Sequence, residues 1–217
     1  GEAAGRVSLT ALGQNEAREG AISISASETY AAVLLPPIIA KLRKEEPGIQ
    51  VEIVVSNRAS DLLRREADIA VRNFRPTEPD LIAKKIGMAD AVLYASPDYI
   101  ATLGNPQTPY DLRHTDFVNM DRSGAMLKGL NSLGLGLTEA SFPLLTESYL
   151  VMWELVNQGA GIGILDAQIG DAEPGVERVL PDLEPLKFPL WLVAHRELTT
   201  SRRIRRVYDF LVEELQR

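Results

Sequence analysis

The chain has 217 residues, with 23 Lys and Arg against 30 Asp and Glu, a formal net charge of −7 and 45% hydrophobic residues. This is a globular composition able to bury a core, and its acidity excludes the extended basic surface that neutralises nucleic-acid phosphates. The absence of cysteine excludes disulfides, thiol nucleophiles and cysteine metal sites and accords with a reducing cytosol; without an apolar run of about 18 residues or an apolar secretory segment, the expectation is a cytoplasmic, non-membrane chain.

Residues 1–20 are polar and weakly patterned and read as a linker remnant, so the ordered fold is expected from Ala21. AISISAS alternates apolar and small polar residues as a strand does, and YAAVLLPPIIAKLRKEEPG carries helical periodicity up to a Pro-Gly breaker. IQVEIVVS predicts a second strand, ASDLLRRE a short amphipathic helix and ADIAVR a third strand. Strand, helix, strand, helix, strand implies a parallel sheet with crossover helices.

LIAKKIGMADAVLYAS predicts one or two further strands, SPDYIATLG a Ser-Pro-initiated helix ending at Gly104, and NPQTPYDLRH a Pro-rich loop with a short helical turn. DFVNMD reads as a short strand, and MLKGLNSLGLGLTEASFPLLTES as irregular chain broken by glycines. SYLVMWELVNQGAGIGILD predicts a helix closed by Gly159 and then a buried strand, LKFPLWLVAHRE a strand, and SRRIRRVYDFLVEEL an amphipathic helix with Ile204, Val207, Tyr208 and Leu211 on its stripe.

The succession of ISISAS, LLPPIIAKLRKEEPGIQVEI, EADIAVR, LYASPDYIATLGNPQTPYDLRH, the helix before GAGIGIL, and PLWLVAHRE before a last helix resembles the effector-binding domain of LysR-type transcriptional regulators over residues 20–217. Within that family, ASPDYIATLG followed by PYDLRH is most similar to the glycine-cleavage-activator subgroup. The resemblance implies an α/β, periplasmic-binding-protein-like fold of type 2. Two Rossmann-like lobes, residues 21–92 with 192–217 and residues 93–191, are then joined by crossing strands at Ala91–Ser96 and Phe188–His195. It further implies a non-enzyme that binds a small effector between the lobes and acts allosterically as a homodimer or higher homo-oligomer. DNA is expected to be bound only by an N-terminal winged helix-turn-helix absent from this chain; VSLTALG, similar to the end of that wing, lies too near the first strand to leave room for a linker helix.

Candidate effector-binding residues lie at strand ends and helix starts, where ligands of open α/β sheets bind. Ser27, Glu28 and Thr29 sit between the first strand and first helix, where free amides and hydroxyls hold anions, though ordinary capping uses the same groups. Glu28 opposes an anion and favours an amine- or amino-acid-like effector. Asn57 and Arg58 end the second strand and Arg72 the third; Arg72 offers a fork for a carboxylate, or else an internal ion pair with Asp68 or Glu66. On the other lobe the candidates are Asn119, Ser148 and Tyr149, with Ser148 also a natural N-cap and Asp166 a weaker candidate.

No catalytic, metal or cofactor site is expected. GAGIG follows a helix and precedes a strand, the reverse of a dinucleotide fingerprint, and reads as a cap with close packing. His114 and His195 have no metal-ligand spacing, no G-x-S-x-G elbow occurs, and SRRIRRVYDF reads as a solvated helix face. The alternatives weighed against a sensor are a free-standing solute-binding protein of a transporter and an enzyme on the same scaffold.

Overall fold

A computed structural model of the chain describes residues 19–56 and 67–217. Of these, the residues up to Gly87 and from Pro189 onward form one compact unit, and Met88–Phe188 form a second.

The first unit starts from strand β1, Gly20–Ala26, whose Ile22, Ile24 and Ala26 are buried while Ser23 and Ser25 alternate with them. A π turn, Tyr30–Leu34, leads into helix α1, Leu35–Glu45. The wide turn has a local cause. Pro36 and Pro37 carry no N–H, so the ordinary i→i−4 bonds to the Ala32 and Val33 carbonyls cannot form. Leu35 N–H instead reaches the Tyr30 carbonyl, and both prolines fall in the first turn of α1, where helices tolerate them.

Strands β2, Ile49–Val55, and β3, Ile69–Arg72, flank β1, both parallel to it. The short helix expected in ASDLLRRE lies outside the described residues. Strand β9, Leu186–His195, runs antiparallel to β3 with Arg72 beside Trp191, and helix α6, Arg202–Leu215, packs Ile204, Val207, Phe210 and Leu211 inward. Its expected stripe included Tyr208, which is half-buried and donates its hydroxyl to the Leu192 carbonyl at 3.1 Å, whereas Phe210 takes the deeper position.

Residues 81–95 form one long strand, β4, Leu81–Ala95, which passes from the first unit into the second as β9 passes back. In the second unit Ser96 caps helix α2, Pro97–Ala101, accepting the Tyr99 amide at 3.2 Å, and a 3-10 turn spans Pro109–Leu112. Strands β5, Val118–Asn119, and β6, Leu144–Leu145, pair in parallel. Between them, where glycine breaks suggested irregular chain, stands helix α3, Ala125–Ser132. Gly124 opens it at φ 83°, and the fully buried Leu130 anchors it to a core of Leu93, Leu112, Phe117, Leu135 and Ile162, so packing outweighs the glycine penalty.

Helix α4, Tyr149–Asn157, is followed by strand β7, Gly163–Asp166, antiparallel to β4, by helix α5, Ala167–Gly170, and by strand β8, Glu177–Arg178, also on β4. The glycines of GAGIG serve packing. Gly159 adopts φ 75°, and a Cβ at Gly161 would stand 2.8 Å from the Asp116 carbonyl oxygen, one at Gly163 2.8 Å from Val156. The main sheet runs β2-β1-β3-β9-β4-β7, the mixed α/β architecture of two units linked by two strands. Among the described residues no helix is long and apolar enough to cross a membrane.

Candidate functional site

In the first unit the serine face of β1 organises both ends of β3. The Ser23 amide and hydroxyl donate to the Asp68 carboxylate at 2.9 and 3.3 Å, and the Asp68 amide returns a bond to Ser23 Oγ at 2.9 Å. Asp68 is thereby bound into the sheet. At the other end Arg72, only 5% exposed, donates Nη2 to Ser25 Oγ at 2.9 Å and Nη1 to the Val71 carbonyl at 3.1 Å. These two bonds hold a buried guanidinium on the last residue of a parallel strand, the end of open α/β sheets at which ligands bind.

Around Arg72 lie groups with no obvious sequence signal. Asn73 Nδ2 donates to the Tyr30 hydroxyl at 3.1 Å and the Pro189 carbonyl at 3.4 Å, tying together the residue after β3, the first helical turn and β9. Trp191, Arg72's neighbour across the β3–β9 ladder, buries its indole N–H without a partner among the described residues and carries the Arg75 guanidinium 5.6 Å over its ring. Of the residues predicted from the first strand, Ser27 Oγ accepts the Tyr30 amide at 3.5 Å in a capping arrangement, and Glu28 and Thr29 are half-buried in the same turn. Asn57 and Arg58 lie outside the described residues.

In the second unit Asn119 ends β5 and turns its Oδ1 onto the Asp121 amide at 2.9 Å. Ser148 caps α4, accepting the Val151 amide at 3.3 Å, and Asp166 caps α5, accepting the Gln168 amide at 2.9 Å. Tyr149 is buried and stacks on Trp153 with ring centroids 6.3 Å apart, and Trp153 meets the edge of Tyr94, also at 6.3 Å. The Tyr94 hydroxyl donates to Asp171 at 2.8 Å, and Arg178 forks onto the same carboxylate at 2.8 and 2.6 Å. Burial, then the Asp171 carboxylate, push the Tyr94 hydroxyl well above the usual tyrosine range. The Arg178 guanidinium, opposed in part by desolvation and aided by Tyr94, holds the Asp171 carboxyl below the usual carboxylate range. Tyr149 thus belongs to a five-residue chain ending at Arg178, which no sequence spacing announces.

Among the described residues no group of three or more His, Asp and Glu is placed to hold a metal ion. His195 is buried with both ring nitrogens unpartnered among the described residues, at the end of β9.

Residues 15–216 match the family described as the LysR substrate binding domain. The chain is 26% identical over 209 residues to the HTH-type transcriptional regulator CrgA of Neisseria meningitidis, covering 94% of this chain and 70% of that protein. It is 30% identical over 96 residues to an HTH-type transcriptional regulator of Haemophilus influenzae, of whose length the match spans only 33%. The solved CrgA regulatory domain superimposes with a TM-score of 0.79 at 24% identity, over 91% of this chain and 99% of that one. The chain therefore belongs to the LysR substrate binding domain family, the effector-binding domain of LysR-type transcriptional regulators.

Proposed function

We propose that this domain senses a small carboxylate- or amino-acid-like effector whose carboxylate is taken by Arg72. The observation that carries the proposal is the buried guanidinium at the end of β3, steered by Ser25 Oγ and the Val71 carbonyl. Charge-assisted, forked hydrogen bonds at such a site are strong and geometrically selective. Ser27, Glu28 and Thr29 on the neighbouring turn, with Asn57 and Arg58, are the further first-unit contacts; Asn119, Ser148 and Tyr149 are those of the second unit. Glu28 favours an effector that also carries an amine.

The regulator reading extends to the whole protein. CrgA is an HTH-type regulator of which this chain matches 70%, so DNA contact is assigned to an N-terminal winged helix-turn-helix outside the chain and site of action to the cytoplasm. The subgroup is that of the glycine-cleavage activator, resting on the ASPDYIATLG and PYDLRH run. The domain acts as a homodimer through residues 32–45 of one copy and residues 149–158 of the other, where Val33, in the π turn before α1, is exposed and Leu150 and Val151 of α4 are 62% and 47% exposed. Effector binding shifts the equilibrium between two dimer arrangements by no more than its differential affinity for them. Neither turnover nor a cofactor belongs to this reading, and with HTH-type regulators as relatives the transporter alternative is set aside.

The test is a thermal-shift screen of small carboxylates, amino acids and aromatic acids against the wild type and Arg72→Ala. A ligand that binds only the native state raises Tm, and a carboxylate effector should lose about 1.5–3 kcal/mol of affinity in the variant. An effector whose affinity survives Arg72→Ala, with the variant melting far earlier, would return Arg72 to a structural role.

A further inference from the structure

One cavity is lined entirely by residues of the second unit. It has a volume of about 290 Å³ and is lined by Asn119, Asp121, Arg122, Glu139 and the apolar Leu127, Phe142 and Leu145, with Gly124 at its edge. That volume is at the lower end for ligand sites, which run to about 300–1,000 Å³, and suits a molecule of amino-acid size.

The walls are held in place by the fold. Phe142 and Leu127 pack against the core of the unit, and Phe142 leans on the buried Phe117 with centroids 5.9 Å apart. The turn carrying Arg122 is latched by Asp121, whose carboxylate accepts the Ser123 amide and hydroxyl, both at 2.9 Å, and the Met126 amide at 3.3 Å. Desolvation alone would raise the Asp121 carboxyl, but these donors outweigh it and keep the latch ionised. The turn closes through Gly124 at φ 83°, a backbone conformation that other residues adopt only with strain.

Two opposite charges line this cavity without using each other. No ion pair or side-chain hydrogen bond engages Arg122 or Glu139 among the described residues, so a guanidinium and a carboxylate stand apart over one apolar floor. Leu145, 43% exposed, extends that floor to the rim. A ligand matching all three features carries a carboxylate, an ammonium and an apolar group. We infer that this cavity binds an apolar α-amino acid, its carboxylate on Arg122, its ammonium on Glu139 and its side chain over Leu127, Phe142 and Leu145. The inference goes beyond the Arg72 reading, with which it shares only Asn119, and neither Arg122 nor Glu139 takes part in that reading.

Isothermal titration with L-leucine tests it, using the wild type, Arg122→Gln and Glu139→Gln. Both residues are exposed, and far-UV circular dichroism checks that each variant keeps its fold. L-leucine should bind the wild type, and each variant should bind it at least about tenfold more weakly, as expected for one lost charge-assisted contact. Isopentylamine, which lacks the carboxylate, should weaken in Glu139→Gln only, and 4-methylpentanoate, which lacks the amine, in Arg122→Gln only. Absence of leucine binding at millimolar concentration, or binding unchanged in both variants, overturns the proposal. Leucine binding abolished by Arg72→Ala but untouched by the glutamine variants would move the ligand to the Arg72 site, overturning this inference while leaving the effector reading intact.

Discussion

Gly170→Ala is the most severe small change the structure offers. Gly170 ends α5 directly against Tyr94, and a methyl there would stand 2.2 Å from Cζ and 2.3 Å from Cε2 of the ring. Reaching the ~3.5 Å of ordinary carbon contact needs a displacement of about 1.3 Å. Tyr94 has nowhere to go: it is 1% exposed, its hydroxyl is bonded to Asp171 at 2.8 Å, and Trp153 abuts it at 6.3 Å between centroids. Overpacking costs about 1–3 kcal/mol, and loosening the hydroxyl bond adds about 1 kcal/mol, so the variant should lose about 2–4 kcal/mol. For a domain of this size that corresponds to roughly 2–4 °C of Tm per kcal/mol. The assay is urea unfolding followed by Trp153 fluorescence in a Trp191→Phe background, since the displaced ring also disturbs the indole that touches it. Tyr94→Leu, costly alone, should relieve much of the added cost in the double variant. A loss below about 0.5 kcal/mol, the size of a neutral surface change, would refute the argument that Gly170 is required by contact with Tyr94.

Asp171 predicts the acid limb of stability. Its carboxyl is held below the usual range by Arg178 and then Tyr94, so its contribution is complete above the ordinary carboxylate pKa and disappears as pH falls through the lowered folded value. Arg178→Gln should therefore reduce the fall of Tm between about pH 7 and about pH 3, and an unchanged profile would show that the pair is inert. Leu150→Glu places a charge on an exposed apolar position of α4 and should convert a dimer to monomer in light scattering at micromolar concentration; a wild type already monomeric removes the proposed interface. With a net charge of −7, the isolated chain should retain duplex DNA at physiological salt no better than an arbitrary acidic protein, as a gel-shift measurement would show.

Local rules were sufficient wherever one periodicity or one punctuating residue decides the backbone. The alternation in AISISAS, the Ser96-Pro97 start, the glycine after α4 and the stripe of α6 led to β1, α2, the end of α4 and α6, and the order of these segments led to the family and its α/β fold. Where two local signals compete, the tertiary structure decided. Glycines argued against a helix at 125–132, but the burial of Leu130 in the second unit's core secures one, because burying a leucine outweighs a propensity penalty of about 1 kcal/mol. The candidate site divides in the same way. That Arg72 ends a strand was legible, since strand ends follow from pattern. That Ser25 steers its guanidinium, that Asn73 links Tyr30 to Pro189, and that Trp153 meets Tyr94, whose hydroxyl bonds Asp171, depends on contacts between residues far apart in the chain. Spacing carries no information about such contacts: only the packing of β1 on β3 and of α4 on β4 and β7 brings those side chains within reach of one another.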